Sequence, residues 1–275
     1  MKKNIVVTGA TSGIGLAIVK ELIKKGENVA AIAITQELCD STFQELNSPD
    51  NVKYIPIDLS SNREIVRGSE MIKQHFSDGK IDALVNCAAV VPQLYRTTEQ
   101  GYEMQFQVNH LAAMHLTMQL LEYLKNAHGV VITTSSRVHR RTKLDFDDLM
   151  NRKRYFLLNV YRKSKLANVL FAYEFNRRYK QDEMIAYNVD PGLVNTKIGE
   201  HNTTGFFNVF WKIRRRLGKE PIEIVPTYFK LIYQDHNHTD PYYYKYEQPL
   251  EPSTYAKDSE IGKRFWDISE TYITK

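Results

Sequence analysis

Tyr161 and Lys165 stand four residues apart in the stretch NVYRKSKLANVLFAYEF, residues 159–175, whose apolar Val160, Leu166, Val169, Leu170 and Tyr173 recur at helical spacing. Four residues is just over one helical turn, so the phenol and the ammonium share a face. A tyrosine hydroxyl ordinarily titrates near 10, and an adjacent positive charge lowers that by favouring the anion. A shift of about three units toward neutrality corresponds to roughly 4 kcal/mol, attainable where water is partly excluded. Such a pair could move a proton to or from an oxygen. A solvated i, i+4 pair is the plain competing explanation, and the company the pair keeps decides between the two.

Two other stretches supply that company. VVITTSSRVH, residues 130–139, ends a β-branched run on Ser135 and Ser136. A hydroxyl at the carboxyl end of a buried strand is placed to hydrogen-bond a substrate oxygen. At the amino end, the run Asn4–Thr8 enters TGATSGIG, residues 8–15, and then an apolar-periodic helix. Gly9, Gly13 and Gly15 let backbone N–H groups approach a ligand, and the helix start offers unpaired donors and the positive end of its dipole. A pyrophosphate would sit there. The spacing T-G-x-x-x-G-x-G differs from G-x-G-x-x-G, so the glycines alone are a weak signal and their place after the first strand strengthens it.

The elements that must position these residues are legible in outline. Short apolar runs at 4–8, 28–34, 52–57, 81–86, 129–134 and 184–189 read as strands buried on both faces. Helical patterns at 15–26, 62–76 and 112–127 lie between them, and the strand–helix alternation predicts a parallel sheet covered by helices. The tyrosine-rich DPYYYKYEQP, residues 240–249, reads as a late strand and turn. The expected fold is α/β, a Rossmann-type doubly wound parallel sheet in a single domain over 1–275, with a substrate-lid insertion at about 196–226.

The 275 residues suffice for one large core, and 43% hydrophobic with 25% charged residues is ordinary for a soluble globular chain. A net charge of +5 with interleaved signs gives no reason to expect nucleic acid. Cys39 and Cys87 are far apart and make no metal-like spacing, which fits a reducing cytosol. The opening apolar run is too short for a signal peptide, and no run approaches the roughly 18 apolar residues of a membrane span. A soluble, cytoplasmic protein is expected.

Taken in order, Thr8 to Gly15, Asn109, the Ser136 strand end and Tyr161-x-x-x-Lys165 resemble the short-chain dehydrogenase/reductase family. More narrowly, VNHLAAMHLT (108–117), LDFDDL (144–149), YRKSKLANVLF (161–171), DPGLVNT (190–196) and RFWDISE (264–270) resemble its retinol-dehydrogenase and WW-domain oxidoreductase branch. The resemblance implies an NAD(P)-dependent oxidoreductase that interconverts an alcohol with a ketone or aldehyde. Tyr161 would be the acid or base, Lys165 would lower its pKa and hold the nicotinamide ribose, and Ser136 would orient the substrate oxygen. Asn109 would anchor a water joining Lys165 to solvent. For the cofactor it implies Gly9, Ser12, Gly13, Ile14 and Gly15 at the phosphates, and Asp58 with Leu59 at the adenine. Asn86 and Ala88 would line the cleft, with Pro191, Gly192, Val194 and Thr196 over the nicotinamide amide.

Three departures stand out. The family's Asn-Asn-Ala-Gly is Asn86-Cys87-Ala88-Ala89 here, adding a methyl group where glycine is expected. Ser12 is not basic. The corner Ala33-Ile34-Thr35-Gln36-Glu37 has neither the acidic residue that binds ribose hydroxyls at Ala33 nor the branch's arginine at Ile34, leaving NAD versus NADP open. A non-catalytic dinucleotide sensor of the same fold is the competing reading.

Other groups read more plainly. His110, His115 and His139 have no carboxylate or cysteine at ligand-like spacing and read as core or surface histidines. Cys87 reads as a small buried residue beside the cofactor cleft. GFFNVFWKIRRRLGK, residues 205–219, joins bulky aromatics to a basic run, as a substrate lid over an apolar pocket or as a helix touching a membrane peripherally through 205–217. The basic RVHRRTK, residues 137–143, reads as a solvated loop in preference to a site for an acidic group. A lipophilic small-molecule alcohol or carbonyl substrate is expected. By analogy with the family, helices at about 103–127 and 159–179 would pair copies into a homodimer or homotetramer.

Overall fold

The computed structural model describes residues 2–196, 198, 215–236, 238 and 241–274. Its strands are β1 (Asn4–Thr8), β2 (Asn28–Ala33), β3 (Val52–Pro56), β4 (Ala83–Asn86), β5 (Val130–Thr134), β6 (Ile185–Val189), β7 (Tyr243–Lys245) and β8 (Gln248–Pro249). They form one sheet in the order β3-β2-β1-β4-β5-β6-β7-β8, parallel throughout except for the antiparallel β7–β8 hairpin. The Ile, Val and Ala runs of β1, β4 and β6 are buried along their whole length, as strands covered on both faces must be. From β1 the order steps outward to β2 and β3 on one side and to β4 on the other. A ligand crevice opens at such a reversal, beyond the strand carboxyl ends.

Helix α1 (Gly13–Lys25) packs on the helix Val225–Tyr233, whereas α3 (Asn62–His75) packs on the helix Ala112–Gln119. A further helix, α2 (Gln36–Glu45), was not among the patterns read from the sequence; only Cys39 and Thr42 of its residues are buried, so its apolar periodicity is faint. The helix read at about 103–127 is interrupted twice. Met104–Phe106 passes into a π turn at Gln107–Leu111, and Leu120, at φ −99° and ψ 7°, separates Ala112–Gln119 from Leu121–Lys125.

The longest helix, Leu157–Arg178, carries Tyr161 and Lys165. Every residue from Ser164 to Asn176 is buried, because the C-terminal helix Ser259–Ile273 covers the side turned from the sheet. Phe171 and Trp266 stack there at 5.4 Å. The apolar residues of this helix between Leu166 and Phe175 are thus covered within the chain. Among the described residues no helix is long and apolar enough to cross a membrane.

The segment expected as a lid leaves and returns at one place. Lys219 donates its N–H to the Leu193 carbonyl at 2.9 Å and accepts the Asn195 N–H at 2.8 Å. Both ends of 195–219 are therefore tied beside Gly192, while the aromatic stretch 205–214 lies outside the described residues.

Candidate active site

The crevice is built first by Thr8, whose hydroxyl accepts the N–H groups of Cys87 and Ala88 at 3.0 and 3.1 Å and ties the end of β1 to the end of β4. The chain can turn there only without a side chain: a Cβ on Gly9, at φ 66°, would stand 3.0 Å from the Ala88 backbone, and one on Gly15 would lie 2.3 Å from the Gly9 carbonyl oxygen. Helix α1 consequently starts against the strand end, and its N-cap Ser12 makes no side-chain capping bond. The first N–H groups of the helix face a cavity of about 180 Å³.

Twelve of the residues read from the sequence surround that cavity: Gly9, Ser12, Gly13, Ile14 and Gly15 on one wall, Ala88, Tyr161 and Lys165 on another, and Pro191, Gly192, Val194 and Thr196 over the top. Leu59, Asn86 and Asn109 line a smaller space beside it, sharing Ala88. Both polar atoms of the Asn86 amide are buried there without a hydrogen-bond partner, which fits a polar ligand group entering from the crevice. Asp58, expected at the adenine, lines neither space. Its Oδ1 accepts the Ser60 N–H at 2.8 Å, closing a turn, and Leu59 takes the place beside Asn86.

Lys165 is 2% exposed, and its Nζ donates to the Thr134 carbonyl at 2.8 Å while lying 5.5 Å from the centre of the Tyr161 ring. Burial penalises the ammonium and lowers its pKa to about 8. Ser135 donates its hydroxyl to the Lys165 carbonyl at 3.0 Å, so the end of β5 fastens the helix at the lysine itself. One turn earlier, the Ser164 hydroxyl donates to the Tyr161 carbonyl at 2.9 Å and accepts from Asn109 Nδ2 at 3.2 Å. Asn109 sits in the π turn; its Oδ1 accepts the Val90 N–H at 2.7 Å and its Nδ2 donates to the Val90 carbonyl at 3.0 Å. Helical geometry widens where the chain must hold this side chain, as π turns often do at functional positions.

The two adjacent serines face different spaces. Ser135 borders the main cavity, and Ser136 borders an open groove of about 900 Å³ that shares Gly192 and Leu193 with it. Ser136 caps the 3₁₀ turn Arg137–Arg141, accepting the Val138 N–H at 3.5 Å. His139 Nε2 accepts the Ser253 N–H at 3.3 Å, so the proton is on Nδ1, which donates to the Ser136 carbonyl at 2.8 Å. Desolvation depresses the pKa of His139 and keeps the ring neutral. His110 and His115 are also buried, with pKa values lowered by desolvation to about 3 and about 4. Among the described residues no three His, Cys, Asp or Glu side chains are grouped to hold a metal ion.

The corner after β2 shows Ile34 exposed, and the Thr35 hydroxyl accepts the Leu38 N–H at 3.3 Å as the cap of α2. Sequence reasoning missed Leu193, Ile198 and Arg215, which also line the main cavity. Arg215 was hidden within the basic run assigned to the lid, and only the return of the chain at Lys219 brings it toward Gly13.

A doubly wound sheet with a glycine loop at its reversal and a buried lysine beside a tyrosine defines a dinucleotide-binding oxidoreductase. The short chain dehydrogenase family model matches residues 3–205, and the chain belongs to that family, as an NAD(P)-dependent oxidoreductase acting on small-molecule alcohols or carbonyls. It is similar to retinol dehydrogenase 13 of Homo sapiens, 31% identical over 287 residues that cover 98% of this chain and 84% of that one. Retinol dehydrogenase 14 of Mus musculus is likewise 31% identical, over 98% of this chain and 86% of its own. The NADPH-bound carbonyl reductase from chicken fatty liver shares the fold, with a TM-score of 0.69 at 18% identity, covering 91% of this chain and 99% of that one.

Proposed function

We propose that the chain reduces or forms a carbonyl group with Tyr161 as the proton donor or acceptor. The observation that carries this is the enclosed Lys165 ammonium, held by the Thr134 carbonyl and set against the Tyr161 ring on the wall opposite the glycine loop. The loop at Gly9 and Ser12 to Gly15 would take the cofactor phosphates, Asn86, Ala88 and Leu59 its adenosine side, and Pro191, Gly192, Val194 and Thr196 the nicotinamide amide. Nicotinamide, when bound, supplies or receives the hydride.

In reduction, Tyr161 Oη gives its proton to the carbonyl oxygen; in oxidation it takes the proton from the alcohol. Lys165 stabilises the phenolate that results, because an ammonium in a water-poor site favours the anion beside it. Ser136 would donate its hydroxyl to the same substrate oxygen and hold it at Tyr161. Asn109, through Ser164, holds the turn of helix on which Tyr161 rides, and a water at Asn109 would return the proton from solvent.

The substrate is proposed to be at least partly lipophilic. Leu193, Leu217 and Leu250 are exposed along the groove at Ser136, and the relatives named above are retinol dehydrogenases. Titration of the purified chain with NADH and with NADPH, followed by nicotinamide fluorescence, is the first test. Saturable binding of one or both, and consumption of that cofactor on adding a medium-chain aldehyde, is expected; absence of binding by both would show that Ala89 or the altered corner has closed the crevice.

A further inference from the structure

The groove that begins at Ser136 collects positive charge from three distant parts of the chain. Arg137, Arg140 and Arg141 come from the turn after β5, Lys219 from the short segment that bridges to Val194, and Lys245 from β7. Asp190 is the one carboxylate among the described residues that line it. Clusters on a protein surface are ordinarily broken up by ion pairs, yet none of these five cations forms one with a described residue.

Their surroundings fix some of them without neutralising them. Arg140 donates to the Glu251 carbonyl, while the Glu251 carboxylate is taken by Lys257. Lys219 and Lys245 place their ammonium groups 4.2 and 5.0 Å from the centre of the Tyr246 ring, so one aromatic ring holds two like charges near it. Tyr246 itself is fitted with care: its backbone adopts φ 48°, and its hydroxyl would lie 2.4 Å from a Cβ on Gly192, whose own φ is 71°. Asp190 lies at the floor, 1% exposed, with Oδ1 accepting the Gly192 N–H at 2.9 Å and Oδ2 buried without a partner. It offsets one charge of five. Arg137 and Arg141 make no hydrogen bond to a described residue through their guanidinium groups, leaving forks that match carboxylate or phosphate oxygens.

We infer that this groove holds an anionic end of the substrate, a carboxylate or a phosphate, with the reacting carbonyl or alcohol at Ser136 and an aliphatic link lying along Leu193, Leu217 and Leu250. The inference rests on the reading of Ser136 and Tyr161 as the reacting end. It replaces a wholly apolar substrate by an amphipathic one, and it explains why RVHRRTK, a solvated loop by sequence, faces Lys219 and Lys245 across one groove.

Calorimetric titration of the full chain with dodecanoate, dodecyl phosphate and dodecanol reads the anion site without turnover. An anion should bind at least about tenfold more tightly than the alcohol, and the preference should collapse in Arg137→Gln/Arg141→Gln, whose fold is checked by circular dichroism. The tighter of the two anions names the group. Equal binding of anion and alcohol, no binding of any probe, or equal weakening of all three in the variant would overturn the inference. A second arm compares a medium-chain aldehyde ending in a carboxylate with its methyl ester, at saturating cofactor. Turnover of both with equal KM would sink the anion site and leave the proposed chemistry standing; preferential anion binding without turnover would do the reverse.

Discussion

The side chain whose state governs the proposed chemistry is Lys165. Burial brings its pKa from an ordinary 10.5 down to about 8, because the ammonium has lost water and gained only the Thr134 carbonyl and the Tyr161 ring in exchange. Protonated, it supports a phenolate; neutral, it does not. Carbonyl reduction should therefore hold steady below about pH 8 and fall about tenfold per unit above it. A pH profile of kcat/KM checks this, and a rate level to about pH 10 would contradict it. The same shift means that the folded chain binds this proton less tightly than the unfolded one, so the contribution of Lys165 to stability rises between about pH 8 and 10.5. The Tyr161–Lys165 pair was legible from its spacing, and so were the glycines and Thr196, because they are local or belong to a recognisable motif. Of the two residues expected at the adenine, Leu59 lines the space beside Asn86, while the side chain of Asp58 turns back to Ser60. The groove cations were not legible, since nothing in a linear pattern places Arg141 opposite Lys245.

Between residue and fold stands the broken helix from Glu103 to Lys125. Its start is held by Glu103, fully buried, whose two carboxylate oxygens accept the N–H groups of Gln105 and Phe106 at 2.9 and 2.8 Å. Glu103→Ala leaves two buried donors unpaired, and each such group costs about 1–3 kcal/mol. Urea unfolding should show a loss of about 2–4 kcal/mol, together with slower turnover because Asn109 is carried six residues on; a loss below about 0.5 kcal/mol would contradict the role. Apolar periodicity predicted this helix and could not predict its two breaks, the first of which lies where Asn109 binds both backbone groups of Val90 in a distant loop. Strands β1 to β6 were legible to within a residue or two because they are short apolar runs, most of them buried on both faces, whereas β7 and β8 read only as a late strand and turn. Helix α2 was not, its apolar face being reduced to Cys39 and a few partly buried residues.

Across the whole molecule, the sheet order brings the first strand, the ends of β4 and β5, and the helix Leu157–Arg178 to one crevice, although Gly9 and Lys165, which both border it, stand 156 residues apart in sequence. That convergence makes one experiment decisive. Wild-type and Tyr161→Phe protein, each saturated with the reduced cofactor it binds, are mixed rapidly with a medium-chain aldehyde carrying a terminal carboxylate, and loss of nicotinamide absorbance is followed. The wild type should oxidise its cofactor, and the variant should do so at least about 10³-fold more slowly while binding the cofactor within about threefold as well. Equal rates in the two proteins would contradict Tyr161 as the proton carrier.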